Sequence, residues 1–360
     1  MDLLQRAEQL GLPPRSEAAD LVTLAPDRLP AFSAPASSLT ARPPLRVALL
    51  GCGTVGGGVL AHLLARPHLF QVTGVLVRDL CRDRGPGLPH HLFTADAREL
   101  LGRGTDAVVE LLGGREPAGR LIRESLDLGR SVVTANKALL AEEIGPLADL
   151  AARRGACLLY SASVGGALPA LETVRRAAAL GRIRALSGVL NGTCNFVLDR
   201  CLAGSSFPVA VAEAQAAGYA EADPALDLDG SDTAQKLALL AREAFGAGLR
   251  WNEIPRQGIE GLDGLLSSGK TVRLVAACER TADGLVASVC PRELPDGHLF
   301  ARAAGAGNAL RIEMEDGSLT ELTAEGAGRW PTSAAVLADL HDLHGLLAPR
   351  AASGFAEVTA

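Results

Sequence analysis

The sequence predicts an α/β fold, a Rossmann-type doubly wound parallel sheet joined to a second α/β domain for substrate binding and dimerisation. Three observations carry this expectation. Between Leu45 and Cys157, strands that are aliphatic throughout alternate with helical stretches of about 10 to 15 residues, the pattern of a parallel sheet covered on both faces. A glycine turn joins the first of these strands to the first helix. The chain has 360 residues, enough for about two domains of typical size.

The elements follow in order. Residues 1–42 hold a short amphipathic stretch and a Pro-, Ser- and Ala-rich segment, read as an extension or linker. LRVALLG from Leu45 is a strand, CGTVGGG breaks it, and VLAHLLARP has helical apolar spacing. VTGVLV (72–77) is the second strand. TDAVVELLGG (105–114), a helix through PAGRLIRESLDLG, the strand SVVTANK (131–137), a helix through EEIGPLADLAARRG and the strand CLLYSAS from Cys157 complete the alternation. After Pro169 come the helix ALETVRRAAAL, the segment IRALSGVLNGTCNFVLDRC, an acidic Gly/Pro loop over 218–231 and the helix DTAQKLALLAREAFG. TVRLVAACER and LVASVC alternate like strands of a second, mixed sheet. The tail PTSAAVLADLHDLHGLL reads as a helix returning to the first domain. The expected organisation is an extension over 1–42, a dinucleotide-binding domain over 43–170 completed by 324–350, and a substrate and dimerisation domain over 171–323.

Composition narrows the function classes. A net charge of −6 argues against a nucleic-acid partner, which wants a basic stripe. Aromatic residues make up 3%, too few for stacking platforms on single strands. The N-terminus lacks the basic start and apolar block of a signal peptide, and no apolar run approaches membrane-spanning length. Seven cysteines (Cys52, Cys81, Cys157, Cys194, Cys201, Cys278 and Cys290) include no CxxC pair, which fits reduced thiols in the cytoplasm and implies no zinc site. Of 35 Lys and Arg residues only Lys137, Lys236 and Lys270 are lysine. A chain that uses Arg for generic cations keeps Lys where a compact ammonium that can lose its proton is needed.

Gly51, Gly53 and Gly56 form GxGxxG between strand and helix. The first allows the tight turn, the second lets backbone approach a pyrophosphate, and the third lets helix and strand pack closely. The anion then meets the helix N-terminus. The second strand ends in Val77-Arg78-Asp79, where the cofactor's ribose is read. An acid there suits the 2′-hydroxyl of NAD and an Arg the 2′-phosphate of NADP; Arg78 comes first, so NADP is expected, with NAD as the alternative. A second glycine motif, Gly264 to Thr271, matches the P-loop GxxxxGK[ST] of nucleotide kinases. Its context is wrong, because no apolar strand precedes it and TVRLVAACER reads as a strand where a helix is required.

Three segments place polar groups where a dehydrogenase needs them: Thr134-Ala135-Asn136-Lys137 at a strand end, Asn191-Gly192-Thr193-Cys194-Asn195 after an apolar run, and the stretch from Gly218 to Lys236. The last carries Glu221, Asp223, Asp227, Asp229 and Asp232. Asp232 and Lys236 stand four apart on a helix and share a face. Oxidation of an alcohol sends a hydride to nicotinamide and a proton to a base; no histidine falls in these segments, so lysine is the candidate acid/base. A solvated acidic loop with an ordinary helix ion pair is the plain alternative. A catalytically silent Rossmann regulator that senses a dinucleotide is a further one, and the intact lysine and carboxylate set argues against it.

GCGTVGGGV, VVELLGG, VVTANKALLA, SVGGALP, LNGTCNF and GYAEADPALDLDGSDTAQKLALLA occur together in this order, and the chain thereby resembles homoserine dehydrogenases from about Leu45 to Phe245. The resemblance implies reversible NAD(P)-dependent oxidation of L-homoserine to L-aspartate 4-semialdehyde, in threonine and methionine biosynthesis, by a cytoplasmic homodimer. It implies that Lys236 is the proton donor, that Lys137 lies between nicotinamide and substrate, and that Glu221, Asp232, Asp227 and Thr193 hold the substrate. Thr54, Val55, Gly218 and Gly326 join the motif glycines as cofactor contacts. Two departures are visible, one of them Ala167 in place of a later glycine of the family. Where the family has a glutamate that helps hold a monovalent cation this chain has Ser161, which removes a charged ligand and leaves only carbonyls such as those of Val164, Gly166 and Leu168. The chain ends soon after its returning helix, so a C-terminal regulatory domain of the ACT type is not expected.

Overall fold

The computed structural model describes residues 43–347 with the exception of 83, 85–87, 167, 247 and 326–328. The extension over 1–42 and Gly326 therefore lie outside the described residues. In chain order the elements are β1 (Leu45–Leu50), α1 (Thr54–Leu64), β2 (Phe70–Leu76), β3 (Phe93–Thr94), α2 (Ala97–Gly102), β4 (Ala107–Glu110), α3 (Ala118–Asp127), β5 (Ser131–Thr134), α4 (Lys137–Arg153) and β6 (Leu158–Leu159). There follow α5 (Ala170–Leu180), β7 (Ile183–Val189), α6 (Gly192–Leu202), α7 (Phe207–Ala216), α8 (Ala225–Leu228), α9 (Ser231–Phe245), α10 (Asp263–Leu266), β8 (Thr271–Thr281), β9 (Gly284–Leu294), β10 (Gly307–Met314), β11 (Leu319–Glu325) and α11 (Arg329–Leu346).

β1 to β6 form one parallel sheet in the order β3-β2-β1-β4-β5-β6. Side chains alternate between its faces. Val47, Leu49, Val109 and Val133 pack with Val59, Leu60 and Leu63 of α1 and with Val336, Leu340 and Leu343 of α11. Ala48, Leu50, Val108 and Val132 pack with α3 and α4 on the other side. Burial on both faces is why these strands read as unbroken aliphatic runs. The strand order reverses between β1 and β4, and in such sheets ligands bind at the carboxyl ends of the strands at that point.

The second sheet, β11-β10-β7-β8-β9, is antiparallel in every strand pair, which corrects the expectation of a mixed sheet. β8 with β9 and β10 with β11 form hairpins, which pair antiparallel, and β7 joins the two hairpins through antiparallel pairs with β8 and β10. β10 and β11 turn at Asp316-Gly317, with Gly317 at φ +86°. Helix α9 has Ala234, Leu237, Ala238, Leu239, Leu240 and Ala241 all buried, as expected of a helix surrounded by protein. Through it one apolar cluster runs from α3 and α4 to β8. Among the described residues no helix is long and apolar enough to cross a membrane.

Candidate active site

The three motif glycines have three different surroundings. Gly51 sits at φ +103°, and a Cβ there would lie 2.8 Å from the Leu111 carbonyl oxygen. A Cβ on Gly56 would come within 2.5 Å of the Gly51 carbonyl oxygen, so α1 packs on the turn only because that side chain is absent. A Cβ on Gly53 meets nothing within 4 Å. Gly53 borders a cavity of about 700 Å³ that is also lined by Gly51, Leu76, Arg78, Asp79 and Gly113. Bare backbone, an adjacent helix N-terminus and this volume fit a dinucleotide. Thr54 and Val55 open α1, and the Val55 carbonyl accepts from the Ser333 hydroxyl at 3.3 Å, tying α1 to α11. Lys137 and Gly218 are outside the cavity lining.

At the ribose end Arg78 and Asp79 are both exposed. Asp79 is turned into its own loop: its carboxylate accepts from the Cys81 N–H at 2.8 Å, and its carbonyl accepts from Arg84 at 2.5 Å.

Lys137 is the first residue of α4 rather than the last of a strand, because β5 ends at Thr134 and Asn136 caps the helix by accepting from the Leu139 N–H. Its Nζ lies 2.7 Å from Oδ1 of Asp232. Lys236, one turn along α9, lies 2.7 Å from Oδ2 of the same carboxylate and donates to the Leu190 carbonyl at 2.7 Å. The two lysines singled out from the sequence thus meet on one acid, and its side chain is only 4% exposed. Asn191 completes the set: its side-chain amide donates to Asp227 at 2.7 Å and to Asp232 at 2.9 Å, while its oxygen caps α6 through the Cys194 N–H. The sequence marks Asn191 only as part of a polar segment; its bridging of two acids and the Leu190 carbonyl's part are visible only in the fold, while its capping of α6 follows the N-cap preference of Asn.

The predicted substrate residues divide. Asp227 is held beside Asp232 through Asn191, and Glu221 is exposed yet close enough to act on Lys137. Thr193 is buried and spends its hydroxyl on the Tyr219 carbonyl at 2.6 Å, fixing the acidic loop. Gly218, at φ +77°, starts that loop after α7.

Electrostatics follow from this packing. Burial works against a charge on Asp232, but the ammoniums of Lys236 and Lys137 overcome it and hold the carboxyl well below the usual range. Burial likewise opposes the Lys137 ammonium, and Asp232, Asp227 and Glu221 together raise its pKa despite that. Asp227 goes the other way: burial, then the neighbouring Asp232 charge, push it up. Burial also pushes the Cys194 thiol up, with Asp227 and Asp232 adding to the effect, so it is no nucleophile.

The segment proposed for a monovalent cation offers carbonyls but no charged side chain. Ser161 brings no charge; its carbonyl accepts from the Val164 N–H and the Leu168 carbonyl accepts from the Ala170 N–H at 2.7 Å. The carboxylate that reaches the segment, Asp339 of α11, takes the Ser161 N–H at 2.9 Å. Gly166, at φ +59°, and Val164 bring only their backbone carbonyls. The P-loop match is no phosphate cradle: Lys270 pairs with Glu293 at 3.0 Å and leads directly into β8.

Comparison with known proteins agrees with this geometry. The family model for homoserine dehydrogenase matches residues 169–341, and that for the homoserine dehydrogenase NAD binding domain matches residues 51–161. The homoserine dehydrogenase of Neisseria gonorrhoeae is 34% identical over 316 residues, 83% of this chain and 72% of that protein. That of Corynebacterium glutamicum is 36% identical over 330 residues, 84% and 74% of the two chains. Among solved structures, the Thiobacillus denitrificans homoserine dehydrogenase superposes with a TM-score of 0.78 at 34% identity, covering 84% of this chain and 74% of that one. A putative homoserine dehydrogenase from Archaeoglobus fulgidus superposes with a TM-score of 0.72 at 31% identity, covering 83% of this chain and 99% of that one. With its glycine cradle, its two lysines on one buried acid and these relatives, the chain belongs to the homoserine dehydrogenase family.

Proposed function

We propose that this protein oxidises L-homoserine reversibly to L-aspartate 4-semialdehyde with NADP, NAD being the alternative, in the biosynthesis of threonine and methionine. The observation that carries the chemistry is the pairing of Lys137 and Lys236 on Asp232. When bound, the nicotinamide cofactor supplies the hydride donor and acceptor; Gly51, Gly53, Thr54, Val55 and Gly56 would hold its pyrophosphate and Arg78 its 2′-phosphate. Gly218 and Gly326 are assigned to it by resemblance alone.

Lys236, paired with Asp232 and donating to the Leu190 carbonyl, is the proton donor to the carbonyl oxygen of the semialdehyde. In the reverse direction the same nitrogen, having given up its proton, takes up the proton of the hydroxyl. Lys137, held cationic by three carboxylates, orients the substrate oxygen and stabilises its developing negative charge. Asp227 and Glu221 anchor the amino acid. With Lys137 and Lys236 set against Asp232, Asp227 and Glu221, the cluster has an excess of acids that attracts the substrate ammonium. Its arrival also relieves Asp227, whose charged form burial disfavours.

The preference for NADP rests on Arg78 being exposed at the ribose end while Asp79 is committed to its own loop. We further infer a dinucleotide-binding domain over 43–170 completed by 324–350, a substrate and dimerisation domain over 171–323, a homodimer, and a cytoplasmic site of action. The cytoplasm suits the free thiols of Cys52, Cys81, Cys157, Cys194, Cys278 and Cys290. The test is cofactor oxidation dependent on aspartate 4-semialdehyde, with NADPH and NADH compared and with potassium or sodium added or withheld. Turnover with NADPH exceeding that with NADH, unaffected by either cation, is expected; absence of semialdehyde-dependent oxidation with both cofactors refutes the function.

A further inference from the structure

Glu110 ends β4 and is fully buried. A carboxylate without partners in such a place would be costly. This one is met by three donors: Oε1 accepts from the Leu112 and Gly113 N–H groups at 2.8 and 3.0 Å, and Oε2 accepts from the Thr134 hydroxyl at 2.5 Å.

The donors come from two places that the reaction needs in register. Leu112 and Gly113 belong to the loop after β4 that lines the cofactor cavity. Thr134 ends β5, and its oxygen also accepts from the Asn136 N–H at 3.1 Å, one residue before Lys137. Asn136 closes the circuit by donating its side-chain amide to the Gly114 carbonyl at 2.6 Å, while it caps α4. Gly113 and Gly114 both lie at positive φ, +70° and +71°, so the loop has an unusual backbone shape that these bonds hold. A carboxylate that merely satisfied a tight turn would need only the first two donors. The bond to Thr134 and the return through Asn136 bind the loop to the start of the Lys137 helix.

We propose that Glu110 is a positioning residue for hydride transfer: through Thr134 and Asn136 it fixes the cofactor-facing loop 112–114 and the backbone of Lys137 as one rigid unit. The proposal rests on the cavity being the cofactor site and on Lys137 serving the substrate. Misplacement of reacting groups by a fraction of an ångström lowers turnover far more than it lowers ground-state binding.

The test uses three variants of the full-length protein, with NADPH binding followed by nicotinamide fluorescence and turnover followed with aspartate 4-semialdehyde. Thr134→Val keeps the shape and removes the donor; Thr134→Ser restores the donor; Glu110→Gln keeps the shape and loses one acceptor. Thr134→Val and Glu110→Gln are expected to lower kcat about tenfold or more, to weaken NADPH binding and to leave KM for the semialdehyde within about twofold. Thr134→Ser recovers most of the loss. Equal losses in Thr134→Val and Thr134→Ser, or a lowered thermal midpoint with unchanged kcat and NADPH binding, would overturn the proposal. If the parent protein binds NADPH without turning over the semialdehyde, the functional reading fails instead, and the change in NADPH binding still decides the role of Glu110.

Discussion

Lys137 and Lys236 approach opposite oxygens of one carboxylate, each at 2.7 Å from Asp232. The acid is buried, so the arrangement is stable only while all three charges are present. Asp232→Asn removes the carboxylate that both ammoniums share and leaves only Asp227 and Glu221 acting on Lys137, and breaking a buried pair in this way costs about 3 to 5 kcal/mol. The folded-state pKa of Asp232 is depressed, so the stability it contributes is fully present above the ordinary carboxyl pKa of about 3.9 and is lost as pH falls below it. Denaturant unfolding of parent and variant is therefore expected to differ at pH 7 and to converge only in acid.

Asp339 should behave with the opposite sign. Burial pushes it up to about 6, with Glu172 adding to the rise and the Ser161 N–H and Arg175 opposing it. Between the ordinary carboxyl value and 6 the folded state holds a proton that the unfolded state has released, so stability falls as pH rises through that window. Asp339→Asn keeps an oxygen for the Ser161 N–H and removes the buried charge. It is expected to stabilise the protein at pH 7.5 by on the order of 3 kcal/mol and to change little at pH 4, as read by thermal unfolding.

The cavity assignment separates two neighbouring glycines. Gly56→Ala forces a Cβ against the Gly51 carbonyl and is expected to cost about 1 to 3 kcal/mol in stability. Gly53→Ala faces open space; its stability should stay within roughly 0.5 kcal/mol of the parent while NADPH affinity drops at least about tenfold. Calorimetry of both variants with and without NADPH distinguishes them.

Arg78→Ala removes the exposed cation from the ribose end. The expected outcome is a rise of about tenfold or more in KM for NADPH with KM for NADH nearly unchanged, measured by steady-state kinetics with each cofactor. Equal changes for both cofactors would locate the 2′-phosphate elsewhere.

Much of this architecture was legible because the central parallel strands β1, β4 and β5 are buried on both faces and so carry their signature in consecutive residues such as Val47 to Leu50, whereas the two-residue edge strand β3 carries none. The antiparallel sheet was harder to read. Its β10 and β11 mix charged and apolar residues, with Arg311 and Glu321 paired across the strands at 2.6 Å, and the Asp316-Gly317 turn between them went unread. The helix-local part of the site, Asp232 with Lys236, followed from a spacing of four. Its long-range parts did not, since nothing in local spacing tells that Lys137 reaches Asp232, that Asn191 bridges two acids, or that Glu110 collects donors from two loops. Those relationships exist only after the strand ends have been brought together.

The most direct measurement is the semialdehyde-dependent oxidation of NADPH by Lys236→Ala alongside the parent protein. Loss of the acid should lower kcat by about 10² to 10⁴ while fluorescence titration finds NADPH binding retained. Turnover by Lys236→Ala close to that of the parent would contradict the lysine pair on Asp232 as the reaction centre.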